Sequence, residues 1–143
     1  MGKKRIVKKG EGSTQENAGK PASAPKRSVA AAVLSVESTY NNTKVVVSDT
    51  KGNVLCWSSS GSLGFSGAKK GTPFAAAKVG ELLAEKALVM GVKDISVVVK
   101  GVGSGRESAI RGFISKGNFT ISSIKDMTPV PFNGPRPKKP RRV

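Results

Sequence analysis

The sequence contains no histidine, a single cysteine and only nine acidic residues. Without histidine, the chain lacks the commonest general base of enzymes and the commonest metal ligand. One cysteine excludes an internal disulfide bond and a cysteine-based zinc site. Aromatic residues make up only 5% of the chain, and no stretch approaches the roughly 18 apolar residues of a membrane span. These shortages disfavour most enzyme mechanisms, and we expect neither a metal nor a cofactor to bind.

Positive charge is what the sequence has in excess, because 25 lysines and arginines give 143 residues a formal net charge of +16. Such an excess indicates a polyanionic partner, nucleic acid first and an anionic membrane second. Residues 1–29 hold eight basic and two acidic residues, and residues 127–143 hold five basic residues and no acid. We therefore expect a basic N-terminal arm at 1–29, a globular domain at 30–126 and a basic C-terminal arm at 127–143.

The N-terminal arm is rich in Gly, Ser, Ala, Lys and Pro and has almost no bulky apolar residues. It cannot bury enough surface to offset the entropy of ordering, so we expect it to be disordered when free. No apolar stretch follows its basic start, which argues against a signal peptide. It is either a solvated tail or an arm that orders on nucleic acid. Its candidate RNA-binding residues are Lys3, Lys4, Arg5, Lys8 and Lys9.

Three short apolar runs with β-branched residues open the middle of the chain, at Ala30–Val36, Val45–Val47 and Val54–Trp57. Turn-forming residues separate them at Tyr40–Thr43 and Asp49–Asn53. This pattern predicts an antiparallel meander.

A fifteen-residue loop is predicted next, from Ser58 to Thr72. Loops of this length inside compact domains are usually functional or disordered. Thr72 as N-cap and Pro73 at the first helical position predict a helix through Met90, and Gly91 is suited to the position after its end.

The second half of the domain alternates between strand and helix patterns. Asp94–Lys100 contains a continuous Val run, which predicts a strand buried on both faces. Ser104 and Glu107 have the spacing of a capping box, and the helix that they open extends to Lys116. A last strand ends at Asp126.

The predicted order is therefore β-β-β-α-β-α-β. The last two helices are crossovers, which require parallel pairing and a right-handed path. The economical α/β solution is one mixed five-stranded sheet with helices on its faces.

The C-terminal arm contains five prolines in seventeen residues, so it can be neither a helix nor a central strand. Proline stiffens it into an extended segment, and extended cationic segments displace the counterions of a phosphate backbone. A charge run that only confers solubility is the alternative. Its cations are Arg136, Lys138, Lys139, Arg141 and Arg142.

Two glycine-rich segments precede helices. Gly101, Gly103 and Gly105 lack the spacing of a dinucleotide-binding fingerprint, but a helix N-terminus beside Arg106 suits an anion such as an RNA phosphate. The segment Gly64–Thr72 lacks the order of a P-loop. It is either a plain solvated loop or one whose backbone N–H groups and two lysines approach phosphates.

Two other groups of residues have functional and ordinary interpretations. Glu37 and Asp49 could belong to a metal-dependent nuclease, but such a site needs several converging carboxylates, so solvated or salt-bridged acids are favoured. Tyr40, Phe65 and Phe132 lie in predicted loops and could stack on bases.

The motifs occur in a characteristic series. They are YNNT at 40–43, GNVLCWSSSGSLGFSGAKKGTPFAAA at 52–77, VKGVGSGRESAIR at 99–111 and TPVPFNGPRPKKPRRV at 128–143. The chain from about Ala30 to Val143 closely resembles the universal small-subunit ribosomal protein eleven, in its bacterial form.

This resemblance implies a ribonuclease-H-like topology and a non-catalytic role. It implies binding to small-subunit ribosomal RNA on the platform, bridging of several RNA helices and a share in the cleft that holds the Shine–Dalgarno duplex, in the cytoplasm. The implied partners are small-subunit ribosomal proteins seven and eighteen and, nearby, initiation factor three, without a homo-oligomer. The positions that match RNA-facing motifs, with Gly103 of the glycine-rich turn, are Asn41, Asn42, Ser60, Gly64, Phe65, Gly67, Lys69, Lys70, Thr72, Gly103, Gly105, Arg106, Asn133, Gly134, Arg136, Lys138, Lys139, Arg141 and Arg142.

The sequence departs from the family pattern in several places. Phe132 occupies a position usually held by His, and Pro135 one that is commonly Cys. Val102 and Ser104 replace prolines of the glycine-rich turn. These changes weaken expectations about individual contacts there. The Asn133–Gly134 sequence also predicts deamidation to isoaspartate, because glycine leaves room for attack on the backbone.

Overall fold

The computed structural model describes residues 29–142, so the candidates Lys3, Lys4, Arg5, Lys8 and Lys9 lie outside the described residues. Within that range the chain forms five strands and two α-helices in the predicted order. They are β1 (Ala31–Ser38), β2 (Thr43–Asp49), β3 (Val54–Ser59), α1 (Pro73–Val89), β4 (Asp94–Lys100), α2 (Gly105–Lys116) and β5 (Thr120–Asp126).

The strands form one mixed sheet in the order β3-β2-β1-β4-β5. The pairs β1–β2 and β2–β3 are antiparallel, as the meander prediction requires, whereas β1–β4 and β4–β5 are parallel. The predicted mixed five-stranded α/β fold is thus confirmed.

Both helices lie on the same face of the sheet. One buried cluster contains alternate residues of β1, β2 and β4, such as Leu34, Val47 and Val97, together with Leu83 of α1 and Phe113 of α2. The physical reason is the handedness of the connections. Both crossovers advance in the same direction across the sheet, so a right-handed path carries both helices over the same side.

The prediction that β4 is buried on both faces is therefore wrong. Ile95, Val97 and Val99 are buried under the helices, whereas Ser96 and Val98, on the other face, are only half-buried. A Val run fits this strand because β-branched residues pack well on a pleated surface even where one face is open.

The ends of α1 form as predicted. Thr72 has an extended backbone, and its side-chain oxygen accepts a hydrogen bond from the N–H of Ala75 at 3.3 Å. Gly91 follows the helix with φ of +79°, the left-handed conformation that a residue without Cβ adopts at low cost.

The predicted capping box of α2 does not form. Ser104 has a helical backbone and makes no side-chain hydrogen bond to the helix; its hydroxyl donates instead to the carbonyl oxygen of Gly71 at 2.9 Å. Glu107 pairs with Arg111 one turn later, at 3.2 Å. A tertiary contact has replaced the local one.

The predicted long loop is shorter and more ordered than its length suggested. Strand β3 extends through Ser59, and a 3₁₀ helix spans Gly67–Gly71. Between them, the Ser62 hydroxyl donates to the Ser59 carbonyl oxygen at 2.8 Å, and the Ser60 N–H donates to the Thr43 carbonyl oxygen at 3.0 Å. Serine hydroxyls thus satisfy polar groups that a structureless loop would leave to water.

Candidate nucleic-acid interface

Four connecting segments emerge at one edge of the sheet. Strands β1, β3, β4 and β5 run in the same direction, because β3 and β1 are both antiparallel to β2 while β4 and β5 are parallel to β1. The segments that follow these strands therefore start at the same edge. They are the turn 39–42, the loop 60–72, the turn 101–105 and the C-terminal arm.

We call the first three of these segments the loop end. Backbone hydrogen bonds join them to the strand ends: the N–H of Gly103 donates to the Ser38 carbonyl oxygen at 2.9 Å, as Ser60 does to Thr43. The Ser104 hydroxyl ties the turn 101–105 to Gly71 of the loop 60–72. The three segments consequently form one connected surface.

Glycine is required where these segments touch. A Cβ at Gly71 would collide with the carbonyl oxygen of Tyr40, and one at Gly103 would collide with the carbonyl oxygen of Thr39. Both contacts are to backbone, which cannot move aside as a flexible side chain can. The absence of side chains at these positions brings the three backbones together.

Small polar side chains fill the space beneath the loop end. Ser38 and Thr43 are fully buried, and their hydroxyl oxygens lie 3.2 Å apart. In the turn above them, the N–H of Asn42 donates to Thr39 Oγ1 at 3.1 Å. Asn42 Oδ1 is buried and has no hydrogen-bond partner within residues 29–142. It is therefore an acceptor at this surface without a partner from the described chain.

The structure brings together six of the residues predicted as RNA contacts from separate parts of the sequence. Tyr40, which precedes Asn41 in the turn 39–42, is 78% exposed. Ser60, Gly103 and Gly105 are buried, so they shape the backbone of the loop end, whereas Asn41 is exposed and Asn42 and Thr72 are half-buried. Only the last three present polar side chains that a phosphate or ribose could approach. The six are Asn41, Asn42, Ser60, Thr72, Gly103 and Gly105.

The other predicted residues of the loop lie at its outer part. Gly64 and Gly67 have positive φ values, and Lys69 is exposed while Lys70 is half-buried on the 3₁₀ helix. The ring of Phe65 meets the ring of Phe74 edge to face, with centroids 6.2 Å apart. Phe65 thus belongs to the loop end and has an intramolecular aromatic partner.

Arg106 has an ionic partner in the protein. Its guanidinium pairs with the Asp126 carboxylate at the end of β5, and its side chain is one third exposed. The two residues lie in an open groove of about 900 Å³, whose apolar lining is Val99, Ile110 and Ile124. The sequence interpretation treated Arg106 as an anion ligand and did not anticipate this ion pair.

Asp126 also organises the start of the C-terminal arm. The hydroxyl and backbone N–H of Thr128 donate to Asp126 Oδ1 at 2.6 and 3.0 Å. These hydrogen bonds, and then Arg106, lower the pKa of Asp126 from its usual value near 3.8 to about 2. The N–H of Met127 donates to the Val99 carbonyl oxygen at 2.8 Å, and that of Gly101 to Thr128 Oγ1 at 3.3 Å. The arm therefore starts from a fixed point beside the turn 101–105.

Beyond this point the arm is exposed. Every residue from 129 to 142 is exposed, and Phe132 is 95% exposed. Asn133 has φ of +51°, a left-handed conformation that asparagine tolerates better than most residues. The arm holds the remaining predicted RNA contacts, which are Asn133, Gly134, Arg136, Lys138, Lys139, Arg141 and Arg142.

The two acids weighed as nuclease residues do not converge. The register places Glu37 opposite Lys44 and Asp49 opposite Ala32, five positions away along β1. At about 3.4 Å per residue, this separates them by roughly 17 Å. Glu37 forms an ion pair with Lys44 at 3.2 Å. Within residues 29–142 no group of three or more His, Cys, Asp or Glu side chains could hold a metal ion.

The sequence interpretation gave no role to Trp57. Consecutive residues of β3 point to opposite faces of the sheet: Cys56 packs against the core, whereas Trp57 is 58% exposed. Burial raises the pKa of the Cys56 thiol, which keeps it protonated and poorly nucleophilic. The period-two pattern was visible, but an open sheet face could not be seen before the helices were placed.

Residues 32–142 match the family model described as Ribosomal protein S11. The match spans the loop end, the root of the arm and all five of the arm's cations. In the part of the chain that the structure describes, neither helix is long and apolar enough to cross a membrane.

Proposed function

The chain belongs to the ribosomal protein S11 family and is thus a small-subunit ribosomal protein that binds ribosomal RNA; from this premise we propose that it joins several RNA helices on the platform. Members of this family are in general structural and not enzymatic. In the proposal, the loop end and the arm contact different RNA helices and form part of the cleft for the Shine–Dalgarno duplex, in support of translation in the cytoplasm.

One observation carries this proposal: the loop end and the root of the arm lie at the same edge of the sheet. The loop end offers closely packed backbone with few charged side chains, which suits contacts that fix the position of an RNA backbone. The arm offers five cations on an exposed, proline-rich segment, which suits counterion release. Two unlike binding surfaces that share an edge can hold two RNA segments at once.

The proposal extends to protein partners. It includes small-subunit ribosomal proteins seven and eighteen, with initiation factor three nearby, and no homo-oligomer. The support is the family membership together with exposed apolar residues outside the loop end, such as Val89 on α1 and Val130 in the arm.

Directed RNA cleavage tests the proposal. In a Cys56→Ser background, single cysteines at Ser62, Pro137 and Val89 would each carry an iron chelate that cuts nearby RNA. We expect the probes at Ser62 and Pro137 to cut small-subunit rRNA in different helices. Val89 is the matched control, because it is exposed near the end of α1 at the opposite edge of the sheet.

Three outcomes decide between the parts of the proposal. Cuts by the Ser62 and Pro137 probes in the same single helix would refute bridging while leaving RNA binding intact. If the probe at Val89 cuts rRNA as strongly as those at Ser62 and Pro137, the RNA contact is not confined to the loop end and the arm. Cuts flanking the anti-Shine–Dalgarno sequence would support the assignment to the cleft, and cuts confined elsewhere would contradict it.

A further inference from the structure

The open face of the sheet has no helix over it within residues 29–142. Because both crossovers pass over the other side, the alternate residues of all five strands that point away from the helices have no layer of the described chain above them. Most open faces of this kind in antiparallel sheets are polar. This one carries an aromatic residue on its edge strand β3 and valines on β2 and β4.

The register places one row of residues straight across this face. Trp57 of β3 is opposite Val46 of β2, which is opposite Ser35 of β1, which is opposite Val98 of β4. Val98 is in turn paired with Lys125 of β5. Val46 and Val98 are half-buried, whereas the indole of Trp57, the single tryptophan of the protein, is largely exposed. The row thus consists of three apolar residues, a serine at its centre and a cation at its β5 end.

The neighbouring row is cationic and borders the loop end. It runs from Ser59 through Lys44 and Glu37 to Lys100, the last residue of β4. Glu37 is neutralised by its ion pair with Lys44, so Lys100 and, on the row beside it, Lys125 add net positive charge. Lys100 directly precedes the turn 101–105 of the loop end. An RNA strand held at the loop end can therefore continue onto this face without crossing an acidic barrier.

We propose that the open face binds a single-stranded segment of RNA that runs across the strands, with one base stacked on the indole of Trp57 on β3 and phosphates of nucleotides further along the segment near Lys100 on β4 and Lys125 on β5. The inference rests on the proposed function, since it assigns a further surface to the same RNA partner. Stacking on an exposed aromatic ring, on a sheet face that also carries lysines, is a common way to hold unpaired nucleotides. The positive rim favours RNA over an acidic protein as the occupant.

The single tryptophan makes this inference directly measurable. The full-length protein would be titrated with a small-subunit rRNA transcript while tryptophan emission, corrected for absorption, and bound fraction are followed together. We expect emission to be quenched in step with binding. Trp57→Ala should weaken binding by roughly 5-fold to 150-fold, the range for loss of one stacked base. Trp57→Phe should retain most of the affinity.

Salt dependence separates the stacking from the charge. Lys100→Gln should lower the slope of log K against log salt by about one, whereas Trp57→Ala should leave the slope unchanged. Lys86→Gln, an exposed lysine on α1 over the other face, is the matched control and should bind like the wild-type protein. Circular dichroism and thermal unfolding of each variant would exclude a folding defect as the cause of weaker binding.

Several results would overturn the inference. If the wild-type protein binds the transcript without quenching of its tryptophan emission, RNA does not touch this face. The same conclusion follows if Trp57→Ala binds with wild-type affinity. Either result would leave the proposed function standing. Failure of the wild-type protein to bind the transcript would refute both. If Trp57→Ala binds RNA normally but no longer recruits other small-subunit proteins, the face belongs to a protein partner and the inference is wrong.

Discussion

At the loop end, backbone segments lie so close together that Gly71 and Gly103 cannot carry a Cβ, whereas in the C-terminal arm all residues from 129 to 142 are exposed. The first region has a shape that is fixed before RNA arrives. The second has charge but no packed environment of its own. A rigid surface determines where a partner lies, and an exposed charged one determines how strongly and how salt-dependently it is held.

The largest expected effect comes from removing the arm's charge. Deletion of 138–143 removes four cations and should lower rRNA affinity, with the slope of log K against log salt falling by about 3 if each cation neutralises a phosphate. Filter binding over a series of salt concentrations measures this. A matched variant with glutamine at Lys138, Lys139, Arg141 and Arg142 keeps the prolines and should behave alike. An unchanged slope would show that the arm does not bind phosphates.

At the loop end, a substitution that disturbs packing without removing charge should have the next largest effect. Gly71→Ala forces a methyl group against the Tyr40 carbonyl oxygen and should lower the free energy of unfolding by about 1–3 kcal/mol. Urea unfolding measures this loss. Gly61→Ala is the control in the same loop, because a Cβ there would lie 3.8 Å from its nearest neighbour, an ordinary contact.

RNA binding by these two variants sharpens the comparison. Gly71→Ala should also weaken RNA binding without changing the salt slope, since no cation is lost. If Gly71→Ala matches Gly61→Ala in both free energy of unfolding and RNA affinity, the close packing of the loop end matters for neither property.

The junction between the two regions predicts a smaller, pH-dependent effect. The pKa of Asp126 is lowered to about 2 in the folded protein, so its contribution to stability is present above its usual pKa near 3.8. That contribution should be lost as the pH falls from about 4 to about 2. Asp126→Asn should therefore show a shallower loss of stability over this interval than the wild-type protein. Urea unfolding at several pH values measures the difference, and parallel curves would contradict it.

The smallest expected effect is chemical ageing of the arm. Asn133 is exposed and precedes glycine, so isoaspartate should accumulate there on storage at neutral pH. Asn118 precedes the buried Phe119 and should stay intact in the same sample. Peptide mapping distinguishes the two sites. Recovery of unmodified asparagine alone at 133 would refute the expectation.

Local signals in the sequence predicted what local interactions determine. Thr72 and Gly91 bound α1 as expected, because a cap hydrogen bond and a positive φ depend on only a few neighbouring residues. Ser104 was assigned to a capping box that does not form, since the carbonyl oxygen of Gly71, distant in the chain, competes for its hydroxyl. Such competition cannot be seen in a four-residue pattern.

The remaining differences are also tertiary. The Val run of β4 could not show which face the helices cover, because that depends on the direction of both crossovers. For the same reason Trp57 could be placed on a face but not recognised as exposed. The ion pair of Arg106 with Asp126 joins residues twenty positions apart and required the helix and strand to be placed. The direct RNA contacts of all candidate residues stay predictions.

The hydrogen bonds that hold Thr128 to Asp126 and Gly101 have a kinetic consequence. They leave fourteen exposed residues, 129–142, attached at one defined point, and an extended proline-rich segment of that length reaches roughly 45 Å. The arm can thus meet RNA well before the domain does. Once a phosphate is captured, the loop end is confined near the same molecule at a high effective concentration. We expect the arm to determine the distance at which RNA is first captured, and the loop end to determine the orientation of the protein in the final complex.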